Sequence, residues 1–487
     1  MSEAHKTYRQ VILLAYPVVF STLATTLMGL VDTLFMGWVS TASQAAVGLA
    51  GVLIWTLASF FIGSLTVVNT FVAQYHGAGQ HRECGGIAWQ GIGLALGFSL
   101  PLLALLPLVP ALVGLFGPPA DVVPIAVAYA AIRLWGVPLD LVEASLTSFM
   151  RGIGDTRTPM KVSLGAVLLN VPLNYWLVFG GLGLPALGAA GAAYATVAAR
   201  AISVAVLLGL FLRRRWREAY GTGLPRLQTL LSRRVLSLLS VGAPIGVGWV
   251  LEMATWLIFT AVVARFGKIA LAAHNIVLQV LHLSFMPGMA LSVAATTLVG
   301  QYIGAGDPTG ARRSGFAAIK LGMVYMACMG LLLLILGQVI ARGFNRDPEV
   351  VQVARQLFAI AAAFQIFDAM GMVSGGILRG AGDTRWPMVV GIAFSWLVFV
   401  PLIWLLGFRA GWGVQGAWIG ALAYITGMGL VLLGRVWAGS WTRYSVTPET
   451  GEPATRRPAD EPLEALHPSA VDADRPDPAD VGTCPGG

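Results

Sequence analysis

Twelve stretches of twenty or more mostly apolar residues follow one another along this chain, near 11–37, 47–73, 87–115, 122–149, 160–180, 187–212, 235–263, 270–299, 316–341, 351–377, 388–407 and 413–437. Runs of that length match the hydrocarbon thickness of a bilayer. No water is available there, so each run must satisfy its own backbone N–H and C=O groups as a helix. The expected fold is therefore an all-α polytopic membrane protein of twelve transmembrane helices. Only 11% of the residues are charged, where a soluble surface carries about a quarter. A mean hydropathy of +0.75 points the same way.

In a soluble protein the net charge of +8 would suggest nucleic acid. Here Lys and Arg lie in short loops between apolar runs, so the expected partner is the lipid bilayer and no nucleic acid. Cys84, in an expected loop, Cys328 and Cys484 are too scattered for a metal site or a disulfide framework. The opening MSEAHKTYRQ leads into a run much longer than a signal-peptide core, and is expected to stay as the first span.

The chain repeats itself. Arg151-Gly-Ile-Gly-Asp-Thr-Arg157-Thr-Pro159 recurs as Arg379-Gly-Ala-Gly-Asp-Thr-Arg385-Trp-Pro387, an offset of 228. Gln74-Tyr-His-Gly-Ala-Gly79 recurs as Gln301-Tyr-Ile-Gly-Ala-Gly306, and Pro17 as Pro244, both at 227. Gly188 and Gly191 recur as Gly413 and Gly416, at 225. An even number of spans per half makes the halves parallel repeats, two six-helix lobes related by an axis along the membrane normal, and substrate sites in such folds lie between them. The expected organisation is an N-lobe over 1–212 with spans 1–6 and a basic, solvated linker over 213–234. A C-lobe follows over 235–439 with spans 7–12, then a tail over 440–487 whose composition predicts disorder. Eighteen cationic loop residues fall on the side of the two repeated motifs and five on the other, which puts both termini in the cytoplasm of a bacterial inner membrane.

Ionisable side chains at bilayer depth are costly and are functional candidates by default. Asp32 lies in the first span, Glu252 in the seventh and Asp368 in the tenth. Asp140 is the repeat counterpart of Asp368; Glu143 follows it by one turn, and Arg133 is near enough to pair with either. Asp32 and Glu252 are not counterparts: they align with Phe259 and Thr25, so the lobes carry different polar sites. Asn170 and Asn174 share a face of the fifth span around Pro172, open to interhelical bonding or ion contact. Asn275, Gln279 and His274 are expected to be structural. Pro17 and Pro244 remove a backbone hydrogen bond from their helices and are expected to bend them.

With twelve spans, the Pro17–Gly37 segment carrying Val31-Asp32-Thr33, the two Arg-Gly-x-Gly-Asp-Thr-Arg-x-Pro loops and Asn170-Val-Pro-Leu-Asn174-Tyr resemble the MATE (multidrug and toxic compound extrusion) family over residues 8 to 440. The resemblance implies export of small-molecule organic cations and amphipathic drugs by alternating access. It also implies exchange with Na⁺ or H⁺ and no cofactor; separately, a monomer is expected. Glu252 and Asp368 stand where the NorM-like branch carries acids, able to take Na⁺, and Asp32 stands at the first-span aspartate. The DinF-like branch often has Asp at the second fifth-span position, whereas this chain has Asn174, which favours the NorM-like branch.

Other classes fit less well. A primary pump needs G-x-x-x-x-G-K-[ST], which is absent. An intramembrane enzyme built on Asp140 and Glu143 lacks a second acidic cluster. The nearest rival is a flippase for lipid-linked precursors, but such a cavity would be cationic, and the candidate groups here are mostly acidic.

Overall fold

A computed structural model describes residues 3–181, 183, 185–225 and 232–447. Among them, twelve helices are long and apolar enough to cross a membrane: His5–Val39, Thr41–Gly77, His81–Gly114, Val123–Gly152, Arg157–Phe179 and Gly188–Phe211 in the first half. Arg234–Ala264, Lys268–Gly304, Pro308–Phe344, Pro348–Ala381, Arg385–Arg409 and Gly413–Ala438 make up the second. They coincide with the twelve apolar runs and mostly continue into polar flanks, so that Cys84 falls inside the third helix rather than in a loop. Linker residues 226–231 and the tail from 448 onward lie outside the described residues.

Each half buries its own core. Phe35, Leu53, Leu134 and Leu141 belong to one, and Phe259, Phe358, Phe364 and Trp418 to the other. The opening turns of spans 1 and 7 cross that division. Val11, Ala15 and Val18 pack with Ala290, Ala294 and Leu298 of span 8. Leu238 and Ile245, the counterparts of Val11 and Val18, pack with Val67, Phe71 and Leu146 of the first half. Pro17 and Pro244 sit at this crossing, inside helices that continue through them.

The repeated motifs gather at one end, the motif face, and their chemistry explains their residues. The second motif glycine, Gly154 or Gly382, takes φ of 89° in both copies, left-handed backbone that a side chain would resist. Asp155 then accepts from the Thr158 amide at 3.0 Å and starts span 5. Asp383 instead pairs with Arg435 at 3.0 Å.

The lobes meet here through a reciprocal pair of bonds. Gln74 Nε2 donates to the Gly380 carbonyl at 2.9 Å, and Gln301 Nε2 donates to the Gly152 carbonyl at 2.9 Å. A Cβ on Gly77 would fall on the Gln301 carbonyl, and one on Gly304 on the Gln74 carbonyl. Asn69 and Thr297 join span 2 to span 8 at 3.2 Å between Oδ1 and Oγ1. The hydrogen bonds and ring pairs that join the lobes among the described residues lie between the motif face and the Trp55–Trp249 contact, whose ring centroids are 6.4 Å apart.

Two segments differ from expectation. Linker residues 214–223 keep their charged side chains exposed but also dock: the helix Arg214–Tyr220 lays Trp216 and Tyr220 against Phe149, and Trp89 Nε1 donates to the Gly223 carbonyl at 2.8 Å. Burial there pushes the Tyr220 hydroxyl up to about 12. Residues 440–447, grouped by composition with the tail, also pack. Trp441 is fully buried, and the Val446 amide donates to Gln74 Oε1 at 2.8 Å. Two indoles, Trp216 and Trp441, outweigh their polar neighbours.

Replacing both Gln74 and Gln301 by Ala leaves two buried carbonyls unpaired, at about 1 kcal/mol or more each. Spin labels on cysteines at the exposed counterparts Arg157 and Arg385 should then show a second, longer separation in double electron–electron resonance. One unchanged narrow distribution would contradict the clamp.

Candidate functional site

The first half holds a continuous polar ladder. Asp32 of span 1 accepts from Thr196 Oγ1 at 2.8 Å, from Tyr129 Oη at 3.2 Å and from Asn174 Nδ2. Asn174 also donates to Asn170 Oδ1 at 3.3 Å, and Asn170 Nδ2 reaches Thr196 Oγ1 at 3.3 Å. Four spans thus converge on one carboxylate, with donors replacing water. Asn174 Oδ1 is buried without a hydrogen-bond partner, an oxygen free to face a cation beside Asp32.

One turn further along the same helix faces lies an ion network. Tyr129 is followed by Arg133 on span 4, and Thr196 by Arg200 on span 6. Arg133 Nη2 lies 3.6 Å from Asp140 and Arg200 Nε 3.3 Å from it, the latter an ion pair without hydrogen-bond alignment. Arg200 Nη1 donates to Glu143 Oε2 at 2.9 Å. Arg133 does pair with Asp140, as its position suggests, but Arg200 holds both acids.

The second half has neither feature. At the repeat positions of Asp32, Tyr129, Asn170, Asn174 and Thr196 stand Phe259, Leu357, Val398, Leu402 and Ala421. At those of Arg133 and Arg200 stand Ala361 and Ile425, both in the apolar core. Asp368, the counterpart of Asp140, is therefore left without an arginine beside it, and its Oδ2 is buried without a hydrogen-bond partner. Glu252 is exposed, one turn past Trp249. Glu252 and Asp368 interact electrostatically, and Tyr424 feels both. Among the described residues no group of three or more His, Cys, Asp or Glu could hold a metal ion, so any Na⁺ held by Glu252 and Asp368 would need other oxygens. His274 is fully buried, with Nε2 3.1 Å from Thr260 Oγ1 and its ring against Phe259 and Trp418, a structural setting.

Tyr129, Thr196 and Arg200 complete the first-half site but were not among the sequence candidates. Comparing the repeats position by position would have flagged all three, because each faces an apolar counterpart.

Removing an acid should therefore have opposite effects in the two halves. Asp140→Asn strands arginine charge in the bilayer and should cost several kcal/mol, lowering the melting temperature in detergent. Asp368→Asn removes a charge that no arginine answers and should leave that temperature unchanged or raise it. Equal losses would contradict the asymmetry.

The MatE family model matches residues 17–176 and 244–405, one copy per half. A probable multidrug resistance protein NorM of Xylella fastidiosa (strain Temecula1 / ATCC 700964) is 32% identical over 424 residues, 87% of this chain and 90% of the relative. One from Burkholderia mallei (strain ATCC 23344) is 33% identical over 429 residues, 87% of this chain and 91% of its own. The crystal structure of a Vibrio cholerae MATE transporter, VcmN, superposes with a TM-score of 0.82 at 20% identity, covering 91% of this chain and all of that one.

Proposed function

The chain belongs to the MatE family, and from that premise we propose that it is a secondary antiporter exporting organic cations or amphipathic drugs in exchange for Na⁺ or H⁺. It is a multi-pass membrane transporter rather than an enzyme. The reading places it in the bacterial inner membrane as a monomer, with the motif face and both termini cytoplasmic. The clamp then closes the cytoplasmic side, and the parting of the lobes beyond Trp55–Trp249 faces outward.

The observation that carries the mechanism is the unanswered carboxylate pair. Asp140 and Glu143 are already neutralised by Arg133 and Arg200, so they hold the first lobe together rather than bind cargo. Glu252 and Asp368 lack arginines in contact, and Glu252 is exposed one turn past Trp249. A cation arriving there gains the attraction that the fold withholds. Asp32, cradled by Tyr129, Asn174 and Thr196 with the free Asn174 oxygen and Asn170 alongside, is a second cation site with its own donors. Substrate held between the lobes from the cytoplasm is exposed outside when they rock. An incoming Na⁺ or H⁺ then takes the carboxylates and displaces it. The two fluxes are linked because each ligand shifts the lobes only through its differential affinity for the two states.

Ethidium efflux from proteoliposomes tests this under an imposed Na⁺ gradient and then a pH gradient. One gradient should drive export. Glu252→Gln and Asp368→Asn should each slow it at least about tenfold, the effect of losing roughly 1.4 kcal/mol of cation binding. Export indifferent to both gradients, or full activity in both folded variants, would overturn the reading.

A further inference from the structure

The arginine that opens the second repeated motif does more than end a helix. Asp368, Gly375 and Arg379 fall at i, i+7 and i+11 on span 10, within about 20° of one helix face at 100° per residue. The Arg379 side chain folds back along that face instead of leaving for the loop. Its Nη2 donates to Ser292 Oγ at 2.8 Å, and Ser292 Oγ in turn donates to the Met372 carbonyl at 2.8 Å. Its Nη1 lies 3.4 Å from where a Cβ on Gly375 would sit, and nothing else lies within 4 Å of that point. Glycine at 375 therefore leaves the lane open. The guanidinium ends beside Gly375, about two helical turns, roughly 10 Å of rise, short of Asp368. Glu252 is the charged group with which it interacts.

Counting the deep ionisable groups gives this position its meaning. The first lobe holds three acids, Asp32, Asp140 and Glu143, and three arginines, Arg133, Arg151 and Arg200. The second holds two acids, Glu252 and Asp368, and one arginine on their side, Arg379, since Arg355 of span 10 is exposed about 140° around the helix from Asp368. The first lobe is balanced. The second falls short by a single positive charge.

We propose that Arg379 is a tethered counter-cation for the Glu252–Asp368 pair, cancelling one of its two charges so that the site takes one monovalent cation and rejects a dication. This rests on the reading that Glu252 and Asp368 bind cations, and adds to it what sets their valence. Arg379 acts as a positioning charge; it does not itself touch the transported ion.

Equilibrium binding of tetraphenylphosphonium, a monocation, and methyl viologen, a dication, to purified protein tests the charge count. Wild type should prefer the monocation. Arg379→Gln restores two uncompensated acids and should raise affinity for the dication on the order of tenfold more than for the monocation. Arg379→Lys, which keeps the charge and loses the planar fork, should behave as wild type. Glu252→Gln balances the site and should lose the monocation. The double variant Glu252→Gln/Arg379→Gln returns to one net negative charge and should regain it, and its lighter buried charge guards against misfolding. A folded Arg379→Gln protein with unchanged selectivity, or a double variant no better than Glu252→Gln, overturns the counter-cation. Equal monocation binding in wild type and Glu252→Gln overturns instead the reading beneath it, and the proposal with it.

Discussion

An ion in hydrocarbon costs several kcal/mol unless an opposite charge or a set of donors stands beside it. Nearly every polar feature between the two faces of this protein can be traced to that cost. Asp32 is answered by a hydroxyl, a phenol and an amide from three neighbouring spans. Asp140 and Glu143 are answered by Arg200. Once these groups are satisfied they fix spans 1, 4, 5 and 6 to one another, because parting any of them would strand a charge. The second lobe is held mainly by apolar packing around Phe259, Phe358 and Trp418, so its acids carry little of the burden of holding the helices together. An acid that the fold does not need is one that a ligand can use.

Duplication and divergence are separated along the membrane normal. At the motif face the repeats still obey their common origin, because a contact on the pseudo-symmetry axis must satisfy both copies at once. A change at Gln74 alone would leave the Gly380 carbonyl unpaired while Gln301 still reached Gly152. Away from that axis, positions in one lobe never meet their counterparts, and substitutions are free to differ. Tyr129 could become Leu357 and Arg200 Ile425 without disturbing the clamp. The result is a symmetric closure below and two chemically different sites above.

Most of the architecture was legible in the sequence because both governing signals are local. Bilayer thickness sets run length, and the repeat offset is read by comparing letters. The acids themselves stood out, since any carboxylate in an apolar run is conspicuous. Their partners did not. Tyr129 and Thr196 are unremarkable in a membrane helix, and Arg200 lies 57 residues from Glu143 in the chain, so only the packing of span 6 on span 4 reveals the pair. The same limit applied to residues 440–447, where polar composition concealed a buried Trp441. Composition averages over a segment, whereas one indole at the right height decides whether it docks.

The crossing of spans 1 and 7 constrains how the lobes can move. The opening turns of span 1 pack on the second lobe, while its later turns carry Asp32 into the first. Span 7 mirrors this, with Leu238 and Ile245 on the first lobe and Glu252 beyond them. If the motif face opens with each lobe moving as a unit, both helices must flex between their two attachments. Pro17 and Pro244 lie at those points, where a missing N–H has already removed the hydrogen bond that bending would otherwise break. Glu252 sits only eight residues past Pro244, about two turns, whereas Asp32 sits fifteen past Pro17. A bend at the proline therefore displaces Glu252 from Asp368 and Arg379 directly, while Asp32 stays with the three spans that enclose it. On that geometry the second-lobe pair is the one whose surroundings change most as the lobes rock, which is the property the proposed coupling requires.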